Sequence, residues 1–421
     1  MKKFKSIVSL ALASAVLFLG SCSKDIQNPS TTEQIAPDNE TVQKAVNAPI
    51  EDQYIVVLKE TAVPQQLLLV PNYLAKLQMV YDVAKGLLAT IPGGSDVALK
   101  NVYAEVFPGF AAQLTATQKA ALEALPQIAF IEQDQIMSII GSDPKATGSS
   151  AQADEKPYGI LRTGHASGAG KTAYVIDTGI DLDHPDLNVN TELSKDFTGN
   201  TAGCGLLGIL FGCPDQVGSP DDGNGHGTHC AGTIAAKSNG SGVLGVAFDA
   251  TVVAIKVLGD NGSGSNSGVI QGVDYVASTA SRGDVANMSL GGGASSALDN
   301  AVRNAASRGI LFALAAGNDS RDANSSSPAR ANGSNIYTVS AMNSSDRFAN
   351  FSNFGNPPVD FCAPGVSVKS TYRNGGYATL SGTSMAAPHV AGILLLRGGA
   401  PLTDGFVIND PDGTPDPIAH L

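Results

Sequence analysis

The stretch Thr172–Asp181, TAYVIDTGID, is a β-branched, apolar run that stops on an aspartate and turns. A short apolar run without polar alternation is the pattern of a strand buried on both faces of a parallel sheet. Four more such runs follow: TVVAIKVL (Thr251–Leu258), ANMSL (Ala286–Leu290), ILFALAA (Ile310–Ala316) and IYTVSA (Ile336–Ala341). Helix-prone stretches of small residues separate them, so the alternation predicts an α/β fold with a doubly wound, mostly parallel sheet. In that architecture sites form outside the carboxyl ends of the strands. Asp177, which closes the first run, stands at such an end.

Upstream the pattern changes. YIVVLK (Tyr54–Lys59) is strand-like, and VYAEVFPGFAAQL (Val102–Leu114) alternates around a Pro-Gly turn. TATQKAALEAL (Thr115–Leu125) opens with a capping residue and continues in helix formers, and QIAFIEQDQIMSII (Gln127–Ile140) is again strand-like. Residues 62–96 add a further helical stretch. Together they predict a small α+β domain over 51–140. GSDPKATGSSAQADEKP (141–157) has the composition of an exposed, cleavable linker, with the larger domain at 158–421 beyond it. Residues 22–50 are polar, carry Pro29, Pro37 and Pro49, and form another linker.

Residues 1–21 read as an export signal. Lys2, Lys3 and Lys5 precede an apolar run from Ile7 to Leu19, too short to span a bilayer. The run ends in LGSC, Leu19 to Cys22, which resembles the bacterial lipoprotein box and implies acylation of Cys22. Ordinary secretory cleavage near the same point is the alternative. An exported chain permits a disulfide between Cys204 and Cys213, with eight residues between them in a glycine-rich stretch, while Cys230 and Cys362 read as buried free thiols. No matched cysteine pairs make a zinc set.

The chain has 421 residues, 43% of them hydrophobic and only 15% charged, with 47 glycines and a net charge of −12. A core is therefore affordable in size. The acidity argues against a nucleic-acid partner, which needs clustered cations. A nucleotide-binding reading fails as well, because the glycines never form a strand–GxGxxG–helix unit.

Three polar residues then stand out in order. Asp177 closes VID, His226 lies in DGNGHGTHCAGTIAA (Asp222–Ala236), and Ser384 heads the apolar helical run SGTSMAAPHVAGILLL (Ser381–Leu396). A hydroxyl is a poor nucleophile at neutral pH and needs a base at hydrogen-bond distance. An imidazole supplies the base, and a buried carboxylate fixes its tautomer. His226 and His229 also make an HxxH spacing for a metal, but no third ligand motif accompanies it. His165 and His184 have no such context and read as surface residues.

DTG, HGTHCAG and GTSMAAPHVAG together resemble the three active-site motifs of the subtilisin-like serine peptidases, the subtilases, over roughly residues 155–398. HGTHCAG with Cys230 and VLGDNGSGS look nearest to the proteinase K branch. The resemblance implies a secreted serine endopeptidase that hydrolyses peptide bonds through an acyl-enzyme on Ser384, with Asp177 and His226 completing the triad. It implies Asn318, in AAGND, as oxyanion donor. Ser289, Leu290 and Gly291 of SLGGG would bind the substrate backbone, with Gly262 on the opposite strand. Ala315, Ala316 and Gly317 would wall the pocket, and their small size implies a broad or apolar preference. Asn266 stands where that branch often carries a bulky aromatic.

Residues 51–140, especially VFPGFAAQL and IEQD, resemble the family's inhibitory propeptide, implying a zymogen whose own propeptide is its inhibitor until cleavage between about Ser138 and Asp154. Protein or peptide substrates would be the other partners, with a membrane contact through the lipid and an outer-membrane or cell-surface location. No cofactor is implied for the chemistry, whereas a structural calcium is, with Asp360 of VDFCAPG as its ligand. The chain departs from the family in ending 37 residues after Ser384, with Gly398 and Gly399 breaking the last helix early. That departure keeps an alternative open: a catalytically silent subtilase-fold surface lipoprotein that binds peptides.

Overall fold

The computed structural model describes residues 47–140, 154–199 and 218–421. Cys22, Cys204 and Cys213 lie outside the described residues, as does most of the 141–157 linker. Among the described residues no helix is long and apolar enough to cross a membrane.

The N-terminal domain runs β1 (Pro49–Leu58), α1 (Tyr73–Ala89), β2 (Leu99–Tyr103), β3 (Gly109–Gln113), α2 (Ala116–Glu123) and β4 (Ile128–Ile139). Its first strand thus begins two residues before the expected boundary. Thr115 caps α2 through a reciprocal pair with Gln118, the capping box that the sequence signals. The apolar faces of α1 and α2 close over the sheet on Val56, Phe110 and Ala112.

The larger domain contains α3 (Tyr158–Thr163), β5 (Thr172–Asp177), α4 (His226–Ala235), β6 (Thr251–Lys256), β7 (Ser263–Ser265), α5 (Asn266–Thr279), β8 (Val285–Met288), β9 (Leu290–Gly293), α6 (Ser296–Ser307), β10 (Leu311–Ala315), β11 (Ile336–Met342), β12 (Val359–Pro364), the hairpin β13 (Val368–Tyr372) and β14 (Gly376–Leu380), α7 (Thr383–Arg397), β15 (Leu402–Phe406) and β16 (Pro417–His420). The main sheet is ordered β15–β16–β12–β11–β10–β8–β5–β6, continued by the two-residue strand Asn188–Val189. Neighbours from β6 to β16 run parallel, and only β15 is antiparallel. One face packs on α4 and α7, the other on α5 and α6. β6 lies on one side of β5 and β8 on the other, so the strand order reverses around β5. Asp177 therefore ends a strand at the topological switch point, where sites are expected.

The structure completes one sequence reading and corrects another. As expected, α7 stops at Gly398, in the left-handed region, and the tail beyond it forms β15 and β16, which extend the main sheet through the Cys362–Ile418 pair. Ile418 and Val407 bury Met342, Phe348 and Cys362 in a small core of their own. His184 is not a surface residue; it is 3% exposed, with Nε2 3.0 Å from the Gly376 carbonyl and Nδ1 accepting the Asp186 N–H.

β4 belongs to two structures. Its first half pairs with β1, and its end leaves the N-terminal domain to lie antiparallel between β7 and β9. The register sets Met137 against Gly264, Ser138 against Ser263 and Gly291, and Ile139 against Leu290.

Candidate active site

His226 begins α4 and Asp177 ends β5, so their meeting requires the helix to start very close to the strand. Gly227 permits it: a Cβ there would lie 2.1 Å from the Gly179 carbonyl oxygen. The junction is held by Asp222, which accepts from the hydroxyls of Thr178 and Thr228 and from the Gly225 and Thr228 N–H groups. Thr178 in turn accepts the Gly227 N–H. The sequence gives no periodic signal for this lattice.

The Asp177 carboxylate lies 2.8 and 3.0 Å from Nδ1 of His226, with both side chains buried. Burial alone would lower the basicity of the ring. The charge and hydrogen bond of Asp177 outweigh it, and the pKa of His226 stands above its usual value. Nε2 is buried without a hydrogen-bond partner, facing the Ile140 backbone.

Ser384 is the second residue of α7 and fully buried. Its hydroxyl lies against the Ile140 carbonyl and 2.9 Å from the Ser289 carbonyl. The hydrogen bond to His226 expected of a base is not made in this state, because the end of β4 occupies the cleft. Asn318 accepts through Oδ1 from the N–H and hydroxyl of Thr383, at 2.9 and 3.0 Å. That anchoring reserves its amide N–H groups as donors. The sequence signals Asn318 but not Thr383.

Gly262 accepts the Ile139 N–H at 2.9 Å, and Ser289 faces the Ile140 N–H at 3.5 Å. Leu290 and Gly291 pair with Ile139 and Ser138. A Cβ on Gly291 would meet the Cδ1 end of the Ile140 side chain at 2.6 Å, so the glycine leaves room for that side chain. Ile140 packs against the core cluster that contains Ala315, while Gly317, at φ 111°, donates its N–H to the Thr383 hydroxyl. Ala316 is buried in a separate small cluster with Val359.

The N-terminal domain is held by carboxylates in both directions. Glu132 accepts from the Ser295 hydroxyl and the Ser296 and Ala297 N–H groups at the start of α6. Asp134 accepts the Ser267 N–H at the start of α5. Asp274, on α5, accepts the N–H groups of Ala104, Glu105 and Val106 and the Tyr73 hydroxyl. Burial pushes Asp274 up to about 6, against those hydrogen bonds. Residues from distant segments build this interface, which explains why the sequence does not reveal Asp274.

The two histidines of the HxxH spacing do not come together as metal ligands. His229 points away from His226, its Nε2 3.0 Å from the Val368 carbonyl. Asp177, His226 and Cys230 are the one group among the described residues that brings three potential ligand atoms within 4.8 Å. Nδ1 is already committed to Asp177, and burial holds the Cys230 thiol protonated, so a metal does not fit. Asp360, expected as a calcium ligand, accepts the Thr338 N–H at 2.8 Å and is pushed up to about 6 by burial. Cys230 and Cys362 are buried free thiols.

The sequence profile of the Subtilase family matches residues 168–398, and that of Peptidase inhibitor I9 matches residues 53–139. The Extracellular serine proteinase of Thermus sp. (strain Rt41A) is 39% identical over 92% of this chain and 88% of its own. Proteinase T of Parengyodontium album is 42% identical over 63% of this chain and 84% of its own. The crystal structure of a cold adapted subtilisin-like serine proteinase superimposes with a TM-score of 0.54 at 39% identity, covering 62% of this chain and 97% of that one.

Proposed function

The chain belongs to the subtilase family, a serine endopeptidase made as an inhibited zymogen, and on that footing we propose that Asp177, His226 and Ser384 are its catalytic triad and that the zymogen cuts its own Ile140–Gly141 bond. The observation that carries this reading is the contact of the Ile140 carbonyl with the Ser384 hydroxyl, on a strand hydrogen-bonded along both edges.

The steps follow from the geometry. Turning the Ser384 hydroxyl from the Ser289 carbonyl to Nε2 of His226 pairs nucleophile with base. Oγ then attacks the Ile140 carbonyl carbon while Nε2 takes the proton, and Asp177 stabilises the imidazolium through Nδ1. Asn318 donates its amide to the developing oxyanion, aided by the N-terminal N–H groups of α7. The Gly141 amine leaves with the proton from Nε2, and water hydrolyses the acyl-enzyme by the same relay. Ser289, Leu290, Gly291 and Gly262 hold the substrate backbone, and Ala315 and Gly317 wall an apolar recess. Peptides with apolar or varied residues before the cut are the expected substrates. No step is routed through a metal.

We further propose that residues 1–21 are a lipoprotein signal, that Cys22 carries the lipid, that 22–50 and 141–157 are linkers, and that Cys204 and Cys213 form a disulfide. The anchor would hold the zymogen on the outer membrane or cell surface, the mature domain being released by cleavage in the linker. The test is expression of the chain without residues 1–22, with and without Ser384→Ala. Wild type should process itself and digest denatured casein, and Ser384→Ala should do neither; an intact, inactive wild type would refute the reading.

A further inference from the structure

Asn353 is fully buried and commits both ends of its side chain to one loop, the turn from Ala316 to Arg321 that follows β10 and carries Asn318. Its Nδ2 donates to the Ala316 carbonyl at 2.9 Å, and its Oδ1 accepts the N–H groups of Asp319 at 2.9 Å and Arg321 at 3.2 Å. Its backbone N–H donates to the Gly317 carbonyl at 2.9 Å. Two donors on one side and a carbonyl on the other leave the amide a single orientation. A Cβ on Gly317 would lie 2.1 Å from Nδ2, so the glycine leaves room for that close approach.

These contacts bracket Asn318, two on the residues before it and two on residues after it. Thr383 holds a different part of the same loop, the Asn318 Oδ1 and the Gly317 N–H. The segment around Asn353 continues the grip: the Ser320 N–H reaches the Phe351 carbonyl at 3.0 Å, and the Phe354 N–H reaches the Arg321 carbonyl at 3.1 Å. Asn353 is itself rooted in the main sheet. The Ser352 hydroxyl donates to the Asn353 carbonyl at 2.9 Å and accepts the Ala341 N–H of β11 at 3.0 Å. A preorganised donor works only while its support fixes it, and a misplacement of about 1 Å costs a factor of about 10².

We propose that Asn353 is a positioning residue for the oxyanion donor: it fixes the loop on both sides of Asn318, so that the Asn318 amide stays aimed at the oxygen of the bond under attack. This rests on the peptidase reading above. Thr383 then sets the rotation of the Asn318 amide, and Asn353 sets the place from which that amide reaches.

The test is a double-mutant cycle on self-cleavage of the full chain, where the strand to be cut already lies in the cleft. The rate is read at concentrations on which it does not depend, so that it reports the chemical step. Asn353→Ala should slow self-cleavage by about 10²-fold. In an Asn318→Ala background, where the donor is already gone, the same substitution should cost less than about threefold. The same loss in both backgrounds would mean that Asn353 only supports the fold, and would overturn the proposal, as would an Asn318→Ala chain that cleaves itself at the wild-type rate. Should thermal unfolding show that Asn353→Ala does not fold, Asn353→Asp takes its place in the cycle with the same expected non-additivity. Its carboxylate still accepts both N–H groups and loses only the donation to Ala316. A wild type that cuts neither itself nor any peptide would refute the peptidase reading and this proposal with it, whereas equal losses in a wild type that processes itself overturn the proposal alone.

Discussion

The carbonyl of Ile140 lies against the hydroxyl of Ser384, and the amide that follows it is the bond this arrangement presents for attack. Matured protein should therefore begin at Gly141 when stopped early, as read by intact mass. Ile140→Asp, which places a charge against the apolar cluster around Ala315, should slow self-processing at least tenfold.

Asp177→Asn should lower kcat by about 10⁴, because Nδ1 of His226 loses the acceptor that fixes its tautomer. The wild-type rate should fall as pH drops through the raised pKa of His226, which must be neutral to act. In Asp177→Asn that support is gone, so the acid limb of the residual activity should move to lower pH. A pH profile of kcat between 5 and 9 reads both effects.

Asn318→Ala should lower kcat by about 10²–10³ and leave KM nearly unchanged, since the donor engages charge that develops only in the transition state. Steady-state kinetics on a short peptide separate the two parameters.

Asp274→Ala should weaken the hold of the processed propeptide by at least 100-fold, because three backbone N–H groups and a tyrosine hydroxyl are left buried without an acceptor. The pKa of Asp274 is raised to about 6 while buried in the complex, so protonation favours the complex. The part of its contribution linked to the bound proton is present in full below the ordinary carboxylate pKa and is lost as pH rises through about 6. Dissociation should be faster at pH 8 than at pH 5, measured by gel filtration of the processed protein.

Ile418→Ala should destabilise the larger domain by about 2–5 kcal/mol, the usual range for truncating a buried isoleucine. The loss opens the small core over Cys362 and Met342. Thermal unfolding of the Ser384→Ala protein, which cannot digest itself, gives the shift in Tm.

The sheet and the three polar residues at its active end were legible because each depends on a local pattern. A doubly buried strand needs an unbroken apolar run, and Asp177, His226 and Ser384 each sit where such a run meets a turn or a helix start. The tail was not legible, since DGFVINDPDGTPD (Asp404–Asp416) has little strand character until Ile418 finds Cys362 across the sheet. His184 was misread for a similar reason: its partners, the Gly376 carbonyl and the Tyr377 ring, lie nearly two hundred residues away. Asp274 depends on what another domain brings to it. No periodicity records that.

β4 also works as a ruler. One end is fixed where Glu132 and Asp134 grip the starts of α6 and α5, and the other delivers Ile140 to Ser384. Side chains alternate along a strand, so inserting or deleting one residue between Asp134 and Ile140 would send Met137 and Ser138 to each other's faces and present a neighbouring bond. Where the precursor is cut is thus a matter of counted distance as much as of chemistry at the cut, and sequence changes inside 135–140 that keep the count should be tolerated far better than changes in its length.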